Sequence, residues 1–164
     1  QLKNFDEIVE GMQNGSLKGV KADFEKKATV VKIVAPKGYP NERDIGKGHQ
    51  LNIDMDAVRK TGAKIYFGSV YEDDRKYYTG GSRALEVFAE ADDIVKANKI
   101  VESAIGHISS DWKLFHRKDI GTQALLDKRI DQANLAKDIF HYREERGLIG
   151  KTIDWIPGIG RIET

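Results

Sequence analysis

Five consecutive residues, Thr79-Gly80-Gly81-Ser82-Arg83, have the composition of an anion-binding turn. Paired glycines permit positive φ angles and let another group approach the backbone closely. Successive N–H groups in such a turn can surround an anion, and a following arginine offers phosphate a forked, permanently charged set of donors. A hairpin turn with an exposed arginine has the same composition, because Gly-Gly pairs are common between strands. The pattern leaves both interpretations open.

Two other stretches combine glycine with charged or rigid residues, Phe115–Gly121 (FHRKDIG) and Pro36–Asn41 (PKGYPN). The first places cations beside an aspartate and ahead of a glycine, and the second carries prolines on both sides of a glycine. By themselves, charge pattern and turn chemistry favour a solvated turn for each stretch.

The sequence predicts neither a metal site nor catalytic residues within this chain. No histidine has a metal-binding spacing such as H-E-x-x-H, and there is no cysteine to supply a thiolate or a disulfide. We find no Ser-His-Asp order, nucleophile elbow or Walker-type phosphate loop. The histidines concerned are His49, His107, His116 and His141.

The composition indicates one domain with a hydrophobic core. The chain has 164 residues, of which 40% are hydrophobic, and its net charge is +1. This balance favours neither a nucleic-acid partner nor an anionic membrane. No apolar run approaches the roughly 20 residues of a membrane span. The chain begins at Gln1 rather than at a methionine, and we expect it to be a trimmed protein or a piece of a longer one.

In the first half of the chain the pattern predicts a helix, a buried strand and a second, short helix. The helix carries Phe5, Ile8, Val9 and Met12 at helical spacing and closes near Asn14-Gly15. Ala28–Ala35 is β-branched and apolar, which is typical of a buried strand. A rigid loop follows, and then an exposed loop over Asn41–His49. The short helix is expected to be closed by Gly62.

The next segment predicts an antiparallel meander. Ile65–Tyr71 is rich in strand formers, Glu72–Arg75 is a turn, and Lys76–Thr79 begins the return strand. RALEVFAEA alternates and is expected to be the third strand of the meander. Its two faces are Ala84, Glu86, Phe88 and Glu90 against Leu85, Val87 and Ala89.

Two helices and an apolar tail complete the prediction. Asp92-Asp93 opens a helix whose apolar stripe packs on the sheet. A second helix runs from about Thr122 to about Arg146. The tail (IDWIPGIGRIET) cannot be helical through Pro157, and we expect it to fold back on the body. The fold class is α+β, with an antiparallel or mixed sheet and helices on one side. The buried side of the second helix is predicted to comprise Leu126, Ile130, Ala133 and Phe140.

In their order and spacing, these stretches resemble the C-terminal region of the phosphoribosylamine–glycine ligase (glycinamide ribonucleotide synthetase) family. Its members are ATP-grasp enzymes of purine biosynthesis. The resemblance covers about residues 2–121, and it departs from the family pattern at Gly80 and Ser82, where the family has asparagine and glycine. The matching residues are Gly38, Tyr39 and Pro40, then Gly68, then Thr79, Gly81, Arg83, Leu85, Val87 and Ala89, and finally Arg117, Asp119, Ile120 and Gly121.

The resemblance implies a fold of the ATP-grasp C-terminal domain type and a ligase function for the complete enzyme. ATP, glycine and 5-phosphoribosylamine would give glycinamide ribonucleotide, ADP and phosphate through an acyl phosphate, with Mg (or Mn) as the metal. The family's ATP and metal machinery precedes this region, so neither ATP nor a metal is expected to bind this chain alone. The expected partner is the upstream ATP-grasp portion of the same enzyme, in the cytoplasm.

The resemblance also implies a division of the chain and a role for the glycine-rich turn. Residues 1–27 would be the C-terminal edge of the ATP-grasp core, 28–121 the C-terminal domain of the ligase, and 122–164 a helical extension with an apolar tail. Gly80, Gly81 and Ser82 would shape the backbone near the ribose phosphate of the substrate, and Arg83 would neutralise it.

Two other functions remain open from the sequence. The chain can be a stand-alone interaction or regulatory module that has this fold and no catalysis, with the apolar face of the first helix binding another protein. A nucleic-acid module that uses Arg83, Arg117 and Lys118 is disfavoured by the balanced charge.

Overall fold

The computed structural model describes residues 2–151, 153–156 and 158–163, and it describes side chains for 2–151 and 158–160. The described residues divide into two compact units, 1–122 and 123–164. In chain order the elements are α1 (Phe5–Gln13), β1 (Ala28–Pro36), β2 (Lys47–Ile53), α2 (Met55–Thr61), β3 (Lys64–Phe67), β4 (Val70–Asp73), β5 (Lys76–Gly80), β6 (Leu85–Ala91), α3 (Ile94–Ile105), β7 (Ile108–Ser110), β8 (Leu114–Phe115), α4 (Gln123–Glu145), β9 (Ile153–Ile156) and β10 (Gly160–Glu163).

The first unit contains two four-stranded sheets, with strand orders β3-β6-β1-β8 and β4-β5-β2-β7. All the strand pairs in both sheets are antiparallel. Helix α3 packs on β1 and β6 and also against α2. The predicted α+β class is therefore confirmed. No helix in the described part of the chain is long and apolar enough to cross a membrane.

Strand β1 has two different faces, because successive side chains of a strand point to opposite sides. Val30, Lys32 and Val34 are buried on the side that α3 covers, whereas Val31 and Ile33 lie on the other side. Two valines with a lysine between them on a buried face are unusual, since lysine is almost never fully buried unless it is paired. The predicted strand over Ala28–Ala35 is confirmed.

Helix α3 begins where its cap residue predicts. The Asp93 side chain accepts a hydrogen bond from the Lys96 N–H, which satisfies a backbone donor that the first turn leaves free. That hydrogen bond is the main cause that lowers the pKa of Asp93. The helix buries Ala97, Val101 and Ala104 against the sheet, as its apolar stripe predicts.

The predicted meander is confirmed in its hairpin, in which β4 pairs with β5, and is wrong in its single first strand and in its third strand. Residues 65–71 form two strands in different sheets, because the chain crosses from one sheet to the other at Gly68-Ser69. Strands β5 and β6 also lie in different sheets, so residues 81–84 form a second crossover and not a hairpin turn. Hydrophobic alternation shows which residues share a face, but it does not show which strands pair.

Two smaller predictions in this region also need correction. The turn between β4 and β5 is shorter than predicted and consists of Asp74 and Arg75, which both have positive φ angles. The predicted exposed loop over Asn41–His49 is wrong at its end, where Lys47–His49 begins β2. Gly48 has a φ of 77° in an irregular stretch of that strand, which made it resemble a loop in sequence.

Helix α1 is confirmed, and so is its closure before Gly15. The two ends of the segment that contains α1, residues 2–24, are joined by an antiparallel bridge between Leu2 and Phe24. A hydrogen bond from the Lys3 N–H to the Asp23 carbonyl also joins them. The side chains of Phe5 and Met12 are more than 60% exposed. This segment therefore presents apolar side chains to its surroundings.

The second unit consists of α4 and a two-stranded antiparallel hairpin of β9 and β10. The predicted helix from about Thr122 to Arg146 is confirmed. Its predicted buried side is wrong for the described residues, because Ile130 is 56% and Phe140 50% exposed, Ala133 is exposed, and Leu126 is only partly buried. Its apolar residues are spread around the helix instead of forming one stripe. Pro157 lies outside the described residues.

Candidate anion-binding site

The three glycine-containing stretches of the sequence meet at one pocket of about 250 Å³, which we call the Arg83 pocket. A larger and more open depression lies at β2 and β5, but none of the three stretches contributes to it. Neither the sequence order nor the turn chemistry of these stretches predicts that they converge. The Arg83 pocket is lined by Val31, Ile33, Ala35, Tyr39, Arg83, Phe115, His116, Arg117 and Ile120.

Backbone hydrogen bonds between the two crossovers hold Arg83 in place. The Ser69 N–H donates to the Arg83 carbonyl at 2.8 Å, and the Gly68 N–H donates to the Ala84 carbonyl at 2.8 Å. A side chain at Gly68 would not fit, because a Cβ there would lie 2.6 Å from the Arg83 carbonyl oxygen. Gly68 therefore belongs to the support of Arg83.

Arg83 is exposed, and its guanidinium has no ion pair and no hydrogen bond among the side chains that the structure describes. Arginine is always charged in proteins, and its planar fork fits phosphate and carboxylate oxygens. An unpaired arginine at the wall of a pocket is thus available for an anionic ligand.

The glycines of the turn are needed for close contacts within the chain itself. Gly81 has a φ of 81°, and a Cβ there would lie 2.4 Å from the Arg43 carbonyl oxygen. A Cβ at Gly80 would lie 2.4 Å from the Ser69 hydroxyl oxygen, and the Gly80 N–H already donates to the Ser69 carbonyl. The group that approaches this backbone is therefore protein, and ligand binding by Gly80, Gly81 and Ser82 stays a prediction.

The loop after β8 (residues 116–121) supplies the second arginine of the pocket. The Arg117 guanidinium makes a forked contact with Asp119, in which Nε donates to Oδ1 at 3.0 Å and Nη2 donates to Oδ2. The hydrogen bond from Arg117 is the main cause that lowers the pKa of Asp119. This fork leaves Nη1 of Arg117 for other acceptors. At the end of the loop, Gly121 has a φ of 78° and packs tightly on Asn98.

A partly buried ionic network lies behind this loop, and the sequence motifs do not predict it. Lys32 is completely buried, and its Nζ donates to the Glu102 carboxylate and to the Lys118 carbonyl. Nε2 of His116 lies 3.1 Å from both carboxylate oxygens of Glu102. Burial alone would raise the pKa of Glu102, but hydrogen bonds from Lys32 and His116 outweigh it and lower that pKa. The sequence signal that could have indicated this network is the position of Lys32 between Val30 and Val34 on the same face of a buried strand.

Thr79 ties together the strands that lead to the turn. Its side chain is buried, its hydroxyl donates to the Gly46 carbonyl at 2.7 Å, and it accepts from the His49 N–H at 3.1 Å. His49 lies in the irregular start of β2, and Gly46 immediately precedes that strand. Thr79 therefore satisfies backbone groups that regular strand pairing does not reach.

We expect Thr79→Val to destabilise the protein by about 2 kcal/mol, because it leaves the buried Gly46 carbonyl and the partly buried His49 N–H without a partner. Thr79→Ser keeps the hydroxyl and should cost only about 1 kcal/mol, for the lost methyl group. Urea unfolding of the parent and of both variants measures this difference. A valine variant as stable as the parent would contradict the role given to the hydroxyl.

The described residues contain no cluster of three His, Asp or Glu side chains that could hold a metal ion. The histidines lie apart in their contacts. His49 stacks on Trp112, His116 binds Glu102, and His141 lies near Glu144.

Comparison with known proteins identifies the family. A family model described as "Phosphoribosylglycinamide synthetase, C domain" matches residues 29–123, which include all three stretches at the Arg83 pocket. The chain belongs to this family. The resemblance that the sequence motifs indicated is thereby confirmed.

Curated proteins that are similar to this chain are named phosphoribosylamine–glycine ligase. A phosphoribosylamine–glycine ligase of Methanocaldococcus jannaschii is 42% identical over 81% of this chain and 29% of its own length. A protein of the same name from Methanosarcina barkeri is 38% identical over 88% of this chain and 29% of its own length. The chain thus spans less than a third of these relatives.

A solved structure supports the fold. The crystal structure of phosphoribosylamine–glycine ligase from Thermotoga maritima matches 68% of this chain and 27% of its own length with a TM-score of 0.51. The sequences are 23% identical over the match, so this likeness shows the fold alone.

Proposed function

We propose that this chain is the C-terminal part of an ATP-dependent ligase that joins glycine to 5-phosphoribosylamine in purine biosynthesis. We further propose that the Arg83 pocket binds the ribose phosphate of that substrate. The observation that carries the second proposal is the unpaired guanidinium of Arg83 at the place where the three family stretches meet. The names of the relatives support the first.

The chemistry of the pocket suits a phosphate group on a larger molecule. Arg83 supplies an unshared positive charge, and Arg117 supplies a second guanidinium whose direction is set by Asp119. Charge-assisted hydrogen bonds to phosphate are shorter and stronger than those between neutral groups. The remaining walls are mainly apolar side chains of β1 and β8, and both arginines are exposed, so that a phosphate group can reach them from solvent.

The reaction proposed for the complete enzyme activates the carboxylate of glycine as an acyl phosphate, which the amine of phosphoribosylamine then attacks. ATP would supply the phosphoryl group, and magnesium would offset the phosphate charges. We assign both to the ATP-grasp portion, since the described residues offer no metal-binding cluster. Residues 1–27 would complete the edge of that portion, 28–121 would be the substrate-side domain, and 122–164 a helical extension. We place the reaction in the cytoplasm.

In the complete ligase, Arg83→Ala is expected to raise the KM for phosphoribosylamine roughly 10–100-fold and to leave the KM for ATP nearly unchanged. The physical reason is the loss of a charge-assisted contact to phosphate, which is worth about 1.5–3 kcal/mol. Steady-state kinetics with each substrate varied in turn measures both effects.

Arg59→Ala is the matched control for the loss of one positive charge. Arg59 lies on α2, outside the Arg83 pocket, and pairs only weakly with Asp56 on the surface. The Arg59→Ala variant should have the same KM for phosphoribosylamine and the same KM for ATP as the parent. Loss of ATP binding in the Arg83 variant, or equal effects of the two variants, would contradict the proposed role.

The exposed apolar side chains of the first segment favour a second candidate, a stand-alone interaction module without catalysis. Phe5, Met12 and Phe24 are each more than 60% exposed. In this case the chain would bind a partner protein through that surface, and the native protein would have no ATP-grasp portion. The intact mass of the native protein separates the two candidates, because a ligase must be much heavier than the 18.4 kDa of this chain.

A further inference from the structure

The ionic network of Lys32, Glu102 and His116 joins the hydrophobic core to the wall of the Arg83 pocket. Lys32 lies in the middle of β1 with its side chain towards α3, and Glu102 lies on α3. His116 lies in the loop that lines the pocket, and its Nε2–H donates to the same carboxylate. The network thus extends across the edge of the sheet, from its covered face to its pocket face.

The network holds the loop on both sides of Arg117. On one side, the ring of His116 is 3.1 Å from both oxygens of Glu102. On the other side, Nζ of Lys32 lies 3.3 Å from the Lys118 carbonyl oxygen. Both neighbours of Arg117 in the chain are therefore anchored to the same ion pair, and these contacts restrain the backbone at Arg117.

The direction of the Arg117 side chain follows from the same loop. The Asp119 carboxylate accepts the forked contact from Arg117. The backbone carbonyl of Asp119 accepts hydrogen bonds from the N–H and the hydroxyl of Thr122, and these bonds hold the backbone of Asp119. Nη1 of Arg117 takes no part in the fork. The anchored neighbours and the fork with Asp119 together orient this nitrogen on an exposed side chain, since Arg117 is 61% and Asp119 49% exposed.

We propose that Lys32, Glu102 and His116 are positioning residues that hold Arg117 ready at the Arg83 pocket and thereby raise the affinity of the pocket for a phosphate group. The choice of phosphate as the ligand rests on the proposed function. The positioning itself rests on the contacts of the loop and can be measured without a ligand.

The size of the effect follows from conformational entropy. Immobilising a long, flexible side chain on binding costs free energy. A site whose side chain is already ordered before binding does not incur this cost. For one arginine we expect a roughly 3–10-fold difference in the dissociation constant. Direct loss of a charge contact, as in Arg83→Ala, should have a larger effect.

Two substitutions at His116 separate positioning from other roles. His116→Gln retains a side-chain N–H that can donate to Glu102, whereas His116→Leu has a similar volume and cannot donate. Ribose 5-phosphate and inorganic phosphate are titrated into the 164-residue chain and its variants, and binding is followed by NMR. We expect the leucine variant to bind ribose 5-phosphate 3–10-fold more weakly and the glutamine variant to bind within about 2-fold of the parent.

The signal of the Arg117 Nε–H group gives a readout that needs no ligand. In the parent and in His116→Gln it should be sharp and should exchange slowly with water, because the group is held by Asp119. In His116→Leu we expect it to broaden and to exchange faster, while the spectrum of the core is unchanged.

The outcomes distinguish this inference from the proposed function. Equal binding by all three proteins with an unchanged Arg117 signal would overturn the positioning role. An equal loss in both variants would also overturn it, since the imidazole itself would then contact the anion. If the parent binds neither probe, the phosphate pocket of the proposed function fails, and the Arg117 signal alone decides whether the network positions the loop.

Discussion

Replacement of Glu102 by leucine is expected to destabilise the protein by roughly 3 kcal/mol, one of the largest effects of any single surface-accessible residue here. Glu102 itself is partly exposed, but its partner Lys32 is completely buried on the covered face of β1. Without the carboxylate, the ammonium keeps only the Lys118 carbonyl as an acceptor. Breaking a buried ion pair from one side leaves an uncompensated charge, which typically costs about 3–5 kcal/mol. Water can reach the pair from the Glu102 side, so we expect a destabilisation at the lower end of this range.

The double variant Lys32→Met with Glu102→Leu is the control. It removes both charges together and replaces them with apolar groups of similar size, a change that is often neutral or stabilising. We expect the double variant to lie within about 1 kcal/mol of the parent in urea unfolding. Equal destabilisation of the single and the double variant would show that packing, rather than the unpaired charge, causes the loss.

The loss of stability in Glu102→Leu is expected to depend on pH, and the pKa of Glu102 fixes the direction of that dependence. Hydrogen bonds from Lys32 and His116 lower the pKa of Glu102 below its ordinary value of 4.5. A lowered folded-state pKa contributes stability that is complete above the unfolded-state pKa and is lost as the pH falls through the folded-state pKa. The difference in unfolding free energy between the parent and Glu102→Leu should therefore be largest near neutral pH and shrink below pH 4.5.

Gly81→Ala is expected to destabilise the protein by roughly 2–5 kcal/mol, for two separate reasons. The left-handed backbone conformation costs an alanine about 1–2 kcal/mol. In addition, its Cβ would lie 2.4 Å from the Arg43 carbonyl oxygen, and such overpacking costs about 1–3 kcal/mol. The backbone must then move, and Arg83 lies only two residues further along the chain.

Gly62→Ala is a matched control that separates the two reasons. Gly62 closes α2 with a φ of 86°, close to the 81° of Gly81, but a Cβ there would meet nothing within 4 Å. Its variant should therefore show only the conformational cost of about 1–2 kcal/mol. Urea unfolding compares the two, and equal losses would contradict the close contact between the turn and Arg43.

The sequence is sufficient to predict those elements whose signals are local. Helix α3 has an acidic cap residue and a clear apolar stripe, and β1 is rich in β-branched residues from Thr29 to Val34. Pairing between strands is not a local property. Nothing in the alternation of residues 65–91 distinguishes a meander from two crossovers, since both give the same pattern of buried and exposed side chains.

The candidate site was predictable in its parts but not as an assembly. Arg83 and the stretch 115–121 could be chosen from charge and glycine, and the resemblance to a family ordered them. Their meeting on the outer face of β1 depends on the crossover at Gly68-Ser69, whose hydrogen bonds to Arg83 and Ala84 join distant parts of the chain. The network behind the pocket was missed because lysine is normally an exposed residue.

The two crossovers also bear on how the protein folds. Arg83 is held between segments that connect one sheet to the other, so its surroundings are complete only when β1, β6 and the strands of the second sheet have all paired. Contacts of this kind link residues far apart in the chain and are costly to form early, because much of the chain must first lose its freedom. We therefore expect the support of Arg83 to form late in folding. Binding of the proposed phosphate would then report the pairing of both sheets of the first unit.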